Sequence, residues 1–285
     1  MPVAAPTPTV GDVVESAERR AGLVPALLKQ WRAQRGLSQL DLALLADVSS
    51  RHISFLETGR SLPSPEMVLR LGTALGAPLR QVNLMLTAAG HQAVYDESAE
   101  QLPAPVAEAL ELLKAHQEPY PLVIVDRSYT VLDLNRAGMV VLQAVLGHDP
   151  TATLASGGPG LNLALLTFDP AGAHPFIVNF EEVGRQLLWR IQREVLADPD
   201  DGRLQAVLDQ LLALPTIAAD WREVDLAQPS DPAMVLYLRA GSLDLRFLTT
   251  ITAFQAPQNV AVEELRIEQW FPYDAATATV CRELA

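Results

Sequence analysis

The chain has 285 residues, 49% of them apolar, a formal net charge of -13 and one cysteine. That is about two domains' worth of chain with enough apolar side chains for real cores. A lone Cys281 excludes an internal disulfide, the apolar runs break well before the roughly 20 residues of a membrane helix, and so negative a balance excludes a polyanion-binding surface spread over the whole molecule.

In chain order, MPVAAPTPTVGDVVESAERR carries no basic stretch followed by an apolar one, so no secretory signal is expected and the expected setting is a reducing cytoplasm. Residues 18–92 hold nine Lys+Arg against five Asp+Glu, net +4, and residues 93–285 hold 12 against 27, net -15; the first 17 residues add -2, which restores -13. A basic segment on an acidic remainder points to a polyanion contact confined to one domain.

From about residue 20 to residue 92 the pattern predicts five helices with short connections. Val24, Leu27, Leu28 and Trp31 form an apolar stripe, and Gly36 closes that helix. Ser38 opens a second, with Leu42, Ala43 and Leu45 expected inward. Ala46-Asp47-Val48 is a tight turn in which Asp47 is expected in the left-handed conformation that Asp tolerates. Ser49 caps the third helix, inside DVSSRHISFLETGR, and Gly59 ends it. Pro63-Ser64-Pro65 starts the fourth, with Met67, Leu69, Leu71 and Leu75, and Gly76-Ala77-Pro78 separates a fifth that runs from Leu79 to about Ala89.

A helix, a turn of about three residues and a helix with polar groups on its first turn is the arrangement that reads a major groove. Val48, Ile53 and Leu56 are expected to anchor the third helix, which turns Ser50, Arg51, His52 and Phe55 outward. Arginine suits guanine because its forked donors match O6 and N7 together, and an aromatic edge suits a thymine methyl. Gln39, Thr58 and Arg60 are the candidate phosphate contacts. The competing reading is a helical hairpin with a solvated face.

WRAQRGLSQLDLALLADVSSRHISFLETGR, followed by PSPEMVLRLGTALGAPLRQ, resembles the XRE family of helix-turn-helix regulators over about 65 residues. The resemblance implies a five-helix repressor-like fold, with Gln39, Ser50, Arg51, Phe55 and Thr58 on phosphate- and base-contacting positions. Asp47 departs from the Gly usual there, and Leu40 and Leu44 stand where charged residues are usual. Those two leucines mark either a docking surface or tolerated surface positions.

The acidic, Pro-bearing stretch at 93–106 reads as a boundary, giving domains at 18–92 and 103–285. A helix at about 105–116 precedes two short strands, PLVIVD and YTVLDLN, with a turn at Arg127-Ser128. An Ala- and Val-rich helix and a Gly-rich loop, SGGPG, follow. Phe180, Val183, Leu187, Ile191 and Val195 mark one face of a long helix, for which Asn179 and Glu182 suggest a capping box. After a helix at about 203–214, MVLYLR, the alternating stretch around Leu243, Leu245 and Phe247, and VAVEELRIEQWF predict a three-strand meander.

YPLVIVDRSYTVLDLN, FIVNFEEV and VEELRIEQWFP, in that order behind the first domain, resemble the subgroup with a C-terminal MmyB-like ligand-binding domain. The resemblance implies an α+β, PAS-like domain whose antiparallel sheet cups helices around an apolar cavity, and a small apolar ligand, with a fatty acid the first expectation.

The residues of the second half point to a sensor more than a catalyst, so no enzyme activity is expected. His52, His91, His116, His148, His174 and Cys281 show no metal-ligand spacing. SGGPG lacks the Gly-Lys-Ser/Thr of a phosphate loop, Ser156 and Ser242 lack a nucleophile elbow, and Glu181-Glu182 reads as helix-start charge. Leu132, Leu134, Trp189, Tyr237 and Phe247 either line a pocket or are plain core. Arg266 either meets a ligand carboxylate or makes a structural salt bridge, and Trp270-Phe271 reads as a core edge. The reading is a homodimeric, cytoplasmic transcription regulator that binds double-stranded DNA, with a small-molecule sensor and no cofactor or metal. The alternatives are a C-terminal domain that serves only dimer or partner contacts, and an enzyme fused to the DNA-binding module.

Overall fold

The computed structural model describes residues 10–97, 102–148, 150, 160–199, 201–223, 233–255 and 257–284. The chain divides into two units, Met1–Glu100 with Ala256–Glu263 and Gln101–Gln255 with Glu264–Ala285.

The first unit contains α1 (Val10–Gln34), α2 (Gln39–Leu45), α3 (Ser50–Glu57), α4 (Pro65–Leu75) and α5 (Leu79–Ala88). Its boundaries follow from local chemistry. Ser38 caps α2 reciprocally: its hydroxyl accepts from the Asp41 amide and the Asp41 carboxylate accepts from its own amide. Ser49 and Ser64 cap α3 and α4. Asp47 has φ 52, so the expected left-handed turn is present, and it lets the Val48 amide reach back to the Ala43 carbonyl at 2.9 Å. Leu28, Trp31, Leu42, Ile53, Leu56 and Leu71 form one core cluster, and Val24, Leu27, Val68, Val82 and Leu86 a second. Gly72 makes room between α4 and α5: a Cβ there would lie 2.6 Å from Val82 Cγ2.

Two expectations change here, at Leu45 and at residues 260–264. Leu45 is not inward but 59% exposed, because α2 buries the arc of Leu42, Ala43 and Ala46, and Leu45 sits roughly 110° from its centre at about 100° per residue. The second of these segments supplies the cap of α5. Pro78 offers no side-chain acceptor, and the Leu79 amide instead donates to Glu263 Oε2 at 2.8 Å. Glu263 lies in α11 (Val260–Glu264), where the sequence pattern predicts strand. Asn259 starts a helical turn there by accepting from the Val262 amide, and the Val260 amide donates to the Asp96 carbonyl.

The second unit is built on a five-stranded antiparallel sheet in the order β2-β1-β5-β4-β3, with β1 (Leu122–Val125), β2 (Val131–Leu134), β3 (Ala233–Ala240), β4 (Leu243–Thr252) and β5 (Arg266–Pro272). The expected meander is present, and β1 joins its β5 edge. Every residue of β1 is buried, as an interior strand covered on both faces requires. One face packs Leu122, Ile124 and Ile267 under Leu110 of α6 (Ala104–Gln117). The other carries Val123, Val125, Leu236, Leu238, Phe247 and Trp270 toward α7 (Arg136–Leu146).

The remaining helices are α8 (Leu163–Phe168), α9 (Phe180–Ala197), α10 (Gly202–Ala213) and α12 (Ala275–Leu284), which makes 12 α-helices among the described residues. Phe168, Leu188, Ile191, Leu204 and Leu211 join α8, α9 and α10. The five α9 residues expected on one face do face inward, with Phe180 partly buried. Asn179, however, makes no side-chain cap; its amide donates to Val235 O at 2.8 Å and its carbonyl accepts from the Tyr237 amide, so it pins the start of α9 to β3. No helix among the described residues is long and apolar enough to cross a membrane.

Candidate functional site

Two places in the molecule gather chemistry. The first is the outer face of α3. Ile53 and Leu56 are fully buried and fix the helix to its unit, which leaves Ser50 and Arg51 exposed and His52 and Phe55 half-buried. The guanidinium of Arg51 lies 5.2 Å from the Phe55 ring centroid and that of Arg60 lies 5.7 Å from it, so one aromatic ring holds two cations on the same surface. Thr58 is exposed, with its hydroxyl donating to Ser54 O at 2.7 Å.

Gln39 is half-buried and points its amide at the carboxylate of Glu57, 2.8 Å away, which leaves its second amide hydrogen to give. Glu57 is itself buried and takes a forked pair of bonds from Arg32. Burial alone would raise its carboxyl, but the bonds from Arg32 and Gln39 and the charges of Arg32 and Lys29 outweigh burial and hold it below the ordinary glutamate range. Glu57 thus ties α1, α2 and the end of α3 together behind the exposed face. On α2, Leu40 and Leu44 are 58% and 73% exposed.

The second place is a partly enclosed cavity of about 60 Å³ in the second unit, room for about four to six waters. Its wall is assembled from Val141, Leu142 and Val145 of α7; Leu163, Ala164, Leu166 and Thr167 of α8; Val183, Leu187 and Arg190 of α9; Met234, Leu236 and Leu238 of β3; Glu268 and Trp270 of β5; and Tyr129, Ala173 and Ile177. The lining is therefore apolar apart from Thr167, Tyr129, Arg190 and Glu268. Tyr129 reaches the wall from the β1–β2 turn with φ 65, a conformation uncommon for a bulky residue. Asp126 braces that turn by accepting from the Ser128 and Thr130 amides.

The Tyr129 hydroxyl donates to Glu194 Oε2 at 3.2 Å, and the Trp270 indole donates to Glu268 Oε1 at 2.9 Å. Burial raises all three titrating groups, Tyr129, Glu194 and Glu268. For Glu268 the indole bond and the charge of Arg190 offset only part of that rise.

The structure does not bring the sequence-predicted ligand residues to this wall. Leu132 is 49% exposed on β2. Tyr237 lies on the opposite face of β3 from Leu236 and Leu238, where its hydroxyl donates to Asp244 and its ring lies under Arg246, whose guanidinium is 4.4 Å from the centroid. Trp189 is two residues past Leu187 and so about 200° round α9. Leu134 and Phe247 belong to the surrounding core; Phe247 backs Trp270 at 5.4 Å between centroids. Arg266 shares the β5 face of Glu268, donates to Leu265 O at 3.1 Å and acts on Glu194 through its charge. Trp270 is buried and Phe271 is partly exposed, as a core edge.

Among the other residues singled out from the sequence, Glu181 accepts from Arg185 at 2.8 Å, Ser242 sits in the β3–β4 turn, and residues 156–159 of SGGPG, Ser156 included, lie outside the described residues. Arg190 and Glu268 were not singled out. The available signals were an arginine beside the apolar stripe of α9 and a glutamate alternating in β5.

Comparison with protein families matches residues 106–284 to the MmyB-like transcription regulator ligand binding domain and residues 28–82 to a helix-turn-helix model. No curated protein matches. Among solved structures the chain is similar to one described as "Structure of an RNA-binding Light-Oxygen-Voltage Receptor", at 12% identity over 98% of this chain and 68% of that one, with a TM-score of 0.26, too low to bear on the fold.

Proposed function

This chain belongs to the MmyB-like transcription regulators, a helix-turn-helix joined to a ligand-binding domain, and from that premise we propose that it is a non-enzymatic, sequence-specific regulator whose PAS-like domain senses a fatty acid. The observation that carries the reading is the cavity: about 60 Å³ enclosed mainly by Leu, Val, Ile, Met and Trp side chains. Such a space is poor for water and gains about 0.8 kcal/mol per methylene it takes from solvent.

On the other unit, Ser50, Arg51, His52 and Phe55 read bases, and Gln39, Thr58 and Arg60 position the backbone. One reading helix covers only a few base pairs, so the regulator binds as a homodimer across two inverted half-sites about one helical turn apart, or a multiple of it. Ligand alters DNA affinity only insofar as it favours one arrangement of the two reading helices.

Mass spectrometry of an organic extract of the purified protein tests the sensor reading directly, with a fatty acid the expected species. A delipidated protein whose melting temperature no fatty acid of any chain length moves would sink it, since a ligand that binds the folded state alone must stabilise that state.

A further inference from the structure

We propose that Arg190 is the head-group anchor of the cavity, and that the occupant is a short- to medium-chain alkyl monocarboxylate whose carboxylate sits on this guanidinium. The inference rests on the reading of the cavity as a ligand site. Arg190 is the one cation in the cavity wall among the described residues. It projects from α9 at the edge of the apolar face that carries Val183 and Leu187. Its side chain makes no ion pair or hydrogen bond among the described residues, although every other polar group of the wall is engaged. Thr167 bonds the Leu163 carbonyl, Tyr129 bonds Glu194, and Glu268 takes the Trp270 indole.

Two acids feel the charge of Arg190, and neither is hydrogen-bonded or ion-paired to it. Glu194 and Glu268 are both pushed by burial toward the protonated form, and Glu194 is acted on more by Arg266 than by Arg190. Arg127 is held by Asp198 at 2.9 Å and Asp201 at 3.5 Å. A guanidinium stays charged at any working pH, so the wall presents a permanent positive group to a space that is otherwise apolar. A carboxylate with an alkyl tail meets both demands, because its two oxygens match the fork and its methylenes match the rest.

Glu268 stands in the same wall, and in its protonated form its carboxyl can donate to a carboxylate held on Arg190. A cavity of about 60 Å³ also favours a tail of modest length.

The test compares octanoate with octanol on the delipidated full chain by calorimetry. Octanoate is expected to bind wild type about tenfold to a hundredfold more tightly than octanol, the range for one charge-assisted contact. Arg190→Gln is expected to erase that preference by weakening octanoate, with a melting temperature close to that of wild type showing that the variant is folded. If the glutamine variant does not fold, Arg190→Lys, which keeps the charge but not the fork, is expected to shrink the preference. Equal binding of the two probes by wild type, or a preference that survives these substitutions, overturns the anchor and leaves the apolar sensor standing. Failure of wild type to bind either probe overturns both.

Discussion

Each unit of this protein holds a glutamate whose carboxyl its surroundings shift, and the two are shifted in opposite directions. Glu57 is surrounded by donors that favour its charge, Arg32 and Gln39, and its carboxyl is held low. Glu268 has an indole donor and the charge of Arg190, too little to offset burial, and its carboxyl is held high. The cations differ in the same sense: Arg51 and Arg60 stack outward on Phe55, while Arg190 lines an apolar cavity. A buried charge with a full set of partners is scaffolding. A buried charge short of partners is a place prepared for something to arrive.

The strongest way to break this contrast is at Glu57. Glu57→Ala leaves Arg32 and Gln39 facing each other without their acceptor and is expected to cost about 3 kcal/mol, read as a lower urea midpoint for the first unit. Glu57→Gln, which keeps the shape, should still be strongly destabilising. The counterpart Glu268→Gln should leave stability at neutral pH unchanged or slightly raised, because it removes a charge the site disfavours. An equal loss in both glutamine variants would end the comparison.

On the outward cations the expected effect is about 1–3 kcal/mol. Arg51→Ala should lose that much specific DNA affinity and relax preference at one base pair, scored against a randomised site library. Arg60→Ala should weaken all sequences alike and flatten the dependence on salt. Identical selectivity of wild type and Arg51→Ala would remove Arg51 from base reading.

The smallest effect is in the response to acid, and it has opposite signs in the two units. Glu57, held low, contributes stability that is present above the ordinary glutamate value of about 4.3 and is lost as pH falls through its folded value. Glu194 and Glu268, held high, bind protons more tightly in the folded state, so their contribution is present below about 4.3 and is lost as pH rises through their folded values. Unit-specific unfolding probes followed from pH 4 upward should therefore diverge; parallel curves would count against the opposed electrostatics.

How much of this was legible in the sequence follows the distance between partners. Ser38, Asp47 and Ser49 act within a few residues, so their spacing was enough to place the turn and caps of α2 and α3. The alternation of β3 and β4 likewise showed in the text. The cavity was not legible by residue, because its polar groups Tyr129, Arg190 and Glu268 come from a turn, a helix and a strand far apart in the chain. Tyr237 shows the difficulty: in a strand with polar and apolar residues on both sides, periodicity identifies two faces without saying which one is lined by helices. The displaced β5 start had the same origin, since VAVEE is apolar enough for a strand until the Asn259 carbonyl turns it.

The α5 cap carries a consequence for the order in which the molecule is made. The Leu79 amide receives its acceptor from Glu263, 184 residues later, and Asp96 meets Asn259 across a similar interval. A chain emerging from the ribosome N-terminus first thus completes its helix-turn-helix unit only after nearly all of the ligand-binding sequence has been synthesised. A nascent or truncated regulator holds an α5 whose first turn is still open, so a fragment that stops short of Glu263 is an incomplete DNA-binding unit however intact its own five helices are.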